Sequence, residues 1–130
     1  MTRHKELLFR WTRRSMKEIL VDHGLASLGD SYVNFVYSLA LSNKKSEPEG
    51  TKVKGSILAE ALRKAGLREH LPSSMSRHAL ADAAEALIVY AWLSDSLTVS
   101  ECVRMLGKSD DPSEGFTRVL VAAKERITLP

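Results

Sequence analysis

Between Ala79 and Leu93 the sequence carries two carboxylates, Asp82 and Glu85, and no other charge; the Tyr90 hydroxyl and the Trp92 indole N–H are its minor polar atoms. The stretch is rich in Ala and Leu and free of Gly and Pro, which predicts a helix. Apolar character on every side predicts a buried one. A spacing of three puts both carboxylates on one face, with Cβ atoms about 5–6 Å apart. Ionised carboxylates are rarely buried without a partner, and desolvation costs several kcal/mol per ion. The stretch has no Lys or Arg, so the balancing charge must come from elsewhere, and a divalent cation is the economical source. A plainer reading places Asp82 at the helix rim beside Arg77 and His78, where the helix dipole favours acids. It covers Asp82 and leaves Glu85, embedded in apolar sequence on both sides, without an account.

A buried acidic pair needs a facing element, and the other long apolar segment is Ala26 to Ser42. It holds one acidic residue, Asp30, directly after Gly29, a residue type that lets another backbone, a side chain or a ligand approach closely. Asp30 could equally cap a helix over 31–42. Three carboxylates on two packed helices would make an oxygen-rich site suited to a hard cation such as Mg²⁺.

The elements that must position these groups follow from the rest of the chain. With 130 residues and 14.4 kDa, a single domain is expected, burying roughly two thirds of its unfolded surface. A 44% hydrophobic and 27% charged composition is that of an ordinary soluble globule. The longest apolar run, Ala86 to Leu93, falls far short of the ~20 residues of a membrane span, and the first residues form no signal-peptide pattern. One cysteine, Cys102, excludes an internal disulfide framework and a thiolate cluster and reads as a small core residue. These features together predict a cytoplasmic protein.

Charge is unevenly spread. Residues 1–20 carry six Lys and Arg against two Glu, a balance of +4, while the other 110 residues carry 13 basic and 14 acidic side chains. The positive excess thus sits on a first amphipathic helix predicted over 3–20, with Leu7, Leu8, Trp11, Ser15 and Ile19 on one side, ended by Gly24. Arg10, Arg13 and Arg14 on it are candidates for polyanion contact; a solvated helix face is the alternative. A helix over 26–42 follows, then a charged loop from Asn43 to Gly50. Next come an amphipathic helix over 53–65 stopped by Gly66, one turn from Leu67 to Leu71, and the buried helix with Ser76 as N-cap. Thr98-Val99-Ser100-Glu101 has the form of a capping box, and Pro112 suits the first position of a last helix with Phe116, Val119, Leu120 and Ala123 facing inward. No strand is predicted: the fold class is all-α, six or seven helices packed round the two most apolar ones.

At this point the sequence resembles a family. Leu28-Gly29-Asp30-Ser31 is similar to the core of the ribonuclease III signature helix, E-x-x-E-F-L-G-D-[SA]. Asp82-Ala83-Ala84-Glu85-Ala86-Leu87-Ile88 is similar to its second acidic segment, D-x-x-E-A-[LI]-[IL]-G. The separation of 52 residues from Asp30 to Asp82 is similar to that of compact members, and Lys52-Val53-Lys54-Gly55-Ser56-Ile57-Leu58-Ala59 resembles the family's basic-then-apolar helix between the two segments. The likeness covers about residues 20–127. Against the family pattern, Ala26 stands for the glutamate four residues before the signature aspartate, His23 for the acidic residue seven before, Ser27 for an aromatic residue of the dimer contact, and Val89 for a glycine. The mini-ribonuclease III branch also lacks that first glutamate and consists of enzymes.

The resemblance implies a ribonuclease III endonuclease-like helical bundle over 1–130, with no separate double-stranded RNA-binding domain. It implies a divalent-metal-dependent endoribonuclease cutting double-stranded or structured RNA, with Asp30, Asp82 and Glu85 as catalytic residues and ligands of Mg²⁺ or Mn²⁺. RNA contacts are expected from Arg10, Arg13, Arg14, Lys52, Lys54 and His78, with His23 as another group able to reach the scissile phosphate. A homodimer is expected through the signature helix, at Val33, Phe35, Val36 and Tyr37. The competing readings are a weakly active or inactive dimeric RNA-binding module, and a structural helical protein whose acids pair with Arg63, Lys64 or Arg77.

Overall fold

The computed structural model describes residues 4–130. The described residues form six α-helices: α1 (Met16–Leu20), α2 (His23–Lys45), α3 (Gly55–Lys64), α4 (Arg77–Leu93), α5 (Val99–Gly107) and α6 (Pro112–Arg126), with one 3₁₀ turn at Arg68–His70. The described residues contain no strand, so the fold is all-α as the sequence predicts. No helix among them is long and apolar enough to cross a membrane.

Helix α4 is the centre of the molecule. Of its seventeen residues only Arg77, His78, Ala79, Asp82 and Trp92 escape burial, and α1, α2, α3 and α6 all pack on it. Ser76 caps it by accepting from the Ala79 N–H at 3.1 Å. Helix α2, about 34 Å long at 1.5 Å per residue, crosses α4 and also packs on α5. At the crossing stands Gly29: a methyl group there would collide with the backbone carbonyl of Glu85. The hydrogen side chain lets the two backbones touch, and it does so one residue before Asp30.

Local signals place the other helix ends. Thr98 and Glu101 form a reciprocal capping box at α5, Pro112 opens α6 with Asp111 as its cap, and Phe116, Val119, Leu120 and Ala123 are buried. Cys102 is fully buried and free. Gly66, at φ +77°, closes α3 in the left-handed region, and the Lys124 ammonium donates to the Ala65 carbonyl at 2.7 Å, satisfying an acceptor that the helix end leaves open.

The first twenty residues differ from expectation. Instead of a basic helix over 3–20, the chain is irregular from His4 to Ser15 and helical only over Met16–Leu20; Arg3 lies outside the described residues. Tertiary contacts with α4 outweigh the helical pattern here. The His4 ring stacks on Trp92 at 4.2 Å and its Nε2 bonds the Trp92 carbonyl oxygen at 2.9 Å. Trp11 meets Tyr90 edge-on at 5.7 Å, and the Arg13 N–H donates to the Tyr90 hydroxyl at 3.3 Å. Leu8, placed on the inner stripe by the helical reading, is 93% exposed. Ser15, also assigned to that stripe, is the N-cap of α1, accepting from the Glu18 N–H at 3.1 Å. Gly24 does not end this helix; it is the second residue of α2, because Asp22 caps α2 by accepting from the Leu25 N–H at 2.8 Å.

Candidate functional site

The two acidic helices meet in one cleft of about 430 Å³. From α2 it receives His23, Ala26, Ser27 and Asp30; from α4, His78, Ala81, Asp82 and Glu85; Val53, Gly55 and Leu58 close the third side. Asp30, Asp82 and Glu85 therefore share one wall-to-wall space, and the seven-residue spacing of His23 and Asp30 puts both on the cleft face of α2. Asp30 is no helix cap: it sits in the second turn of α2 and projects from its side. Asp82, one turn beyond the first turn of α4, is half-buried.

The electrostatics of the three acids are those of an uncompensated cluster. Glu85 is only 8% exposed. Burial, then a hydrogen bond shared with the Asp30 carboxyl and the charges of Asp30 and Asp82, pushes its pKa up to about 8. Among the described residues no Lys or Arg pairs with any of the three. The nearest basic group is His78, whose Nε2 stands 3.8 Å from Asp82 Oδ2 on a ring that is itself 90% exposed. Lys64 pairs instead with Glu60 at 3.5 Å, and Arg63 and Arg77 are exposed beside Glu60 and Ser56, away from the cleft. The structural-protein reading, in which these cations neutralise the acids, does not describe this molecule.

In its chemistry the donor set is one that a hard divalent cation takes: three carboxyl groups lining one cleft, with no Lys or Arg paired to them among the described residues. Among the described residues no three His, Cys, Asp or Glu side chains are already gathered as a preformed metal site. Ala26 lines the cleft with a methyl group, so α2 supplies one carboxylate and one imidazole, not two carboxylates. Val89, at the expected glycine, is buried in the core.

The other expected contact residues divide. His78 lines the cleft, and Lys54 is exposed between two cleft-lining residues, Val53 and Gly55, with Lys52 exposed just before them. Arg10, Arg13 and Arg14 do not line it. They lie on the segment that packs over Tyr90 and Trp92, and the Arg13 guanidinium is already held by Asp22 at 2.7 Å. On the proposed dimer face, Val33 and Val36 are sealed in the protomer's own core, at 0% and 1% exposure, and Tyr37 is half-buried against the Phe116 ring at 5.8 Å. Val33 and Val36 are core residues, because α2 buries this face against α4 and α5, and Tyr37 packs at the edge of that core. Phe35 alone is exposed, and it shares its stripe with Leu28, exposed two turns earlier. Sequence reasoning counted Leu28 among the apolar residues of the helix without seeing which way it faced. It also passed over Asn34, which donates from Nδ2 to Asp30 Oδ1 at 3.2 Å; a polar residue four positions after Asp30 in an apolar helix was the available signal.

An all-helical domain built round a buried helix, with an acidic cleft at its crossing with a second helix, is the class that fold and site define. The family model described as Ribonuclease III matches residues 23–127, and the chain belongs to the ribonuclease III family, as an RNase III-like domain with an RNA-related function. Family domains act on double-stranded RNA and generally use a divalent metal. No curated protein matches the chain in sequence.

Proposed function

We propose that this chain is a divalent-metal-dependent endoribonuclease that hydrolyses phosphodiester bonds in double-stranded or structured RNA. The observation that carries the reading is the convergence of Asp30, Asp82 and Glu85 on one cleft with no lysine or arginine paired to them among the described residues.

Asp30, Glu85 and Asp82 would hold Mg²⁺ or Mn²⁺. A bound divalent ion supplies Lewis-acid stabilisation of phosphoryl oxygens and a water ionisable near neutral pH. The chain's own residues set the surroundings. Glu85 is buried at the crossing of α2 and α4, and Gly29 keeps the two helices close enough for the Asp30 carboxyl to act on it. Lys52, Lys54 and His78, on or beside the rim, face solvent where phosphates of a duplex would pass, and Arg10 and Arg14, exposed on the segment over Tyr90 and Trp92, would offer further positive charge. Duplex RNA is recognised mostly by shape, phosphates and 2′-hydroxyls, so binding should weaken steeply with salt. A homodimer through the Leu28–Phe35 stripe of α2 would place two clefts on one duplex.

Ala26 favours a second reading, a dimeric RNA-binding module without cleavage, because it removes one carboxylate from the ligand set. A labelled RNA duplex incubated with Mg²⁺ or Mn²⁺ separates the two. Endonucleolytic cleavage is expected, with Glu85→Gln lowering its rate beyond the roughly 100-fold typical of outer-shell changes at metal sites. Duplex binding without cleavage under either metal would establish the module instead, and cleavage undiminished in Glu85→Gln would remove the cleft from the chemistry.

A further inference from the structure

We infer that Asn34 is a positioning residue for Asp30, setting the carboxylate's orientation for metal while tying it to the loop that carries Lys52 and Lys54; this rests on the metal-dependent reading above. Its amide makes two hydrogen bonds. Oδ1 accepts from the backbone N–H of Val53 at 2.8 Å, and Nδ2 donates to Asp30 Oδ1 at 3.2 Å. The orientation of the amide is forced. A backbone N–H can only donate, so the carbonyl oxygen must face Val53, and the NH₂ group is left facing the carboxylate.

Consequences follow for both partners. Asp30 is exposed, and an exposed aspartate samples several rotamers unless something holds it. A donor on one oxygen fixes the plane in which the carboxylate meets Glu85 across the cleft. Outer-shell hydrogen bonds of this kind orient carboxylate ligands, and their loss typically costs 10–100-fold in metal affinity. Val53 lines the cleft and lies between Lys52 and Lys54, so one side chain links the acidic helix to the basic loop. A neighbouring tie provides the comparison. Ser38, one turn further along α2, holds the same loop by accepting from the Thr51 N–H at 2.9 Å and donating to the Thr51 carbonyl at 3.1 Å. Its recorded hydrogen bonds go to the loop and not to Asp30.

The test measures Mn²⁺ binding by electron paramagnetic resonance for the full chain and for Asn34→Ala, Ser38→Ala and Glu85→Gln, with thermal melts alongside. Asn34→Ala should raise the Mn²⁺ dissociation constant about tenfold or more, and Ser38→Ala should leave it unchanged. In duplex cleavage, the metal concentration for half-maximal rate should rise by the same factor in Asn34→Ala, while the rate at saturating metal stays within about threefold. Should Asn34→Ala not fold, Asn34→Ser replaces it, with the same expected weakening. Unchanged Mn²⁺ binding in the Asn34 variant, or equal weakening in Ser38→Ala, would overturn the inference and leave the metal site standing. A wild-type chain that binds no Mn²⁺, or a Glu85→Gln chain that binds it as well as wild type, would overturn the metal reading itself and the inference with it.

Discussion

Two glutamates on neighbouring helices show opposite solutions to the same problem. Glu101, at the start of α5, accepts from the Thr98 N–H at 3.0 Å and from the Arg126 guanidinium at 2.7 Å. The Thr98 backbone bond, followed by the Arg126 bond, holds its carboxyl below the usual range. Glu85, in the middle of α4, has burial and two further acids for company, and its pKa lies near 8. The α5–α6 end of the molecule is stabilised by its acids; the α2–α4 crossing tolerates its own. An uncompensated cluster of that kind is where a fold departs from its own rules, and such departures concentrate at functional sites.

The sharpest way to break the comparison is at the crossing itself. Gly29→Ala drives a methyl group into the Glu85 backbone carbonyl, and overpacking of this kind costs about 3 kcal/mol or more where backbone must move. A denaturant midpoint close to that of wild type would show that the helices do not meet this tightly.

The two glutamates should also answer pH with opposite signs. Glu85 has a folded pKa near 8 against an ordinary value of 4.5. Between these values the unfolded chain has lost a proton that the folded chain keeps, so its contribution to stability falls as pH rises and reaches its full cost above about 8. Glu85→Gln should therefore melt several degrees higher than wild type at pH 9 and lose most of that advantage at pH 4. A variant no more stable than wild type at pH 9 would show that the carboxylate is not strained. Glu101 has a lowered pKa, so its contribution is present above the ordinary 4.5 and is lost as pH falls through its folded value. Glu101→Ala should cost about 1 kcal/mol at neutral pH, the worth of a helix cap, with the difference shrinking in acid. Equal melting of the two chains at pH 7 would contradict the capping account.

Much of this contrast is legible in sequence because it is local. The Thr98–Glu101 box, the Ser76 cap and Pro112 are short-range signals, and Asp82 and Glu85 stand out because nothing else in their stretch is charged. Asp30 could be placed with them because Gly29 marks a close approach. What the sequence hid is tertiary. The segment from His4 to Ser15 has helical spacing, yet Trp11 and His4 gain more by packing on Tyr90 and Trp92. Val33 and Val36 looked as available for a partner as Phe35, because an apolar helix does not declare which stripe its own fold will cover. Gly24 reads as a helix end in sequence, whereas Asp22, which the sequence reading did not consider, caps α2 and places the glycine inside it.

The central claim is that Asp30, Asp82 and Glu85 form one cleft whose charge a divalent cation balances. Calorimetric titration of the chain with Mn²⁺ at pH 7, in two buffers of different ionisation enthalpy, tests it most directly. With its pKa near 8, Glu85 is mostly protonated at that pH and must ionise to serve as a ligand, so close to one proton should be released per metal bound. Metal binding with no proton released, or no binding at all, would contradict the account.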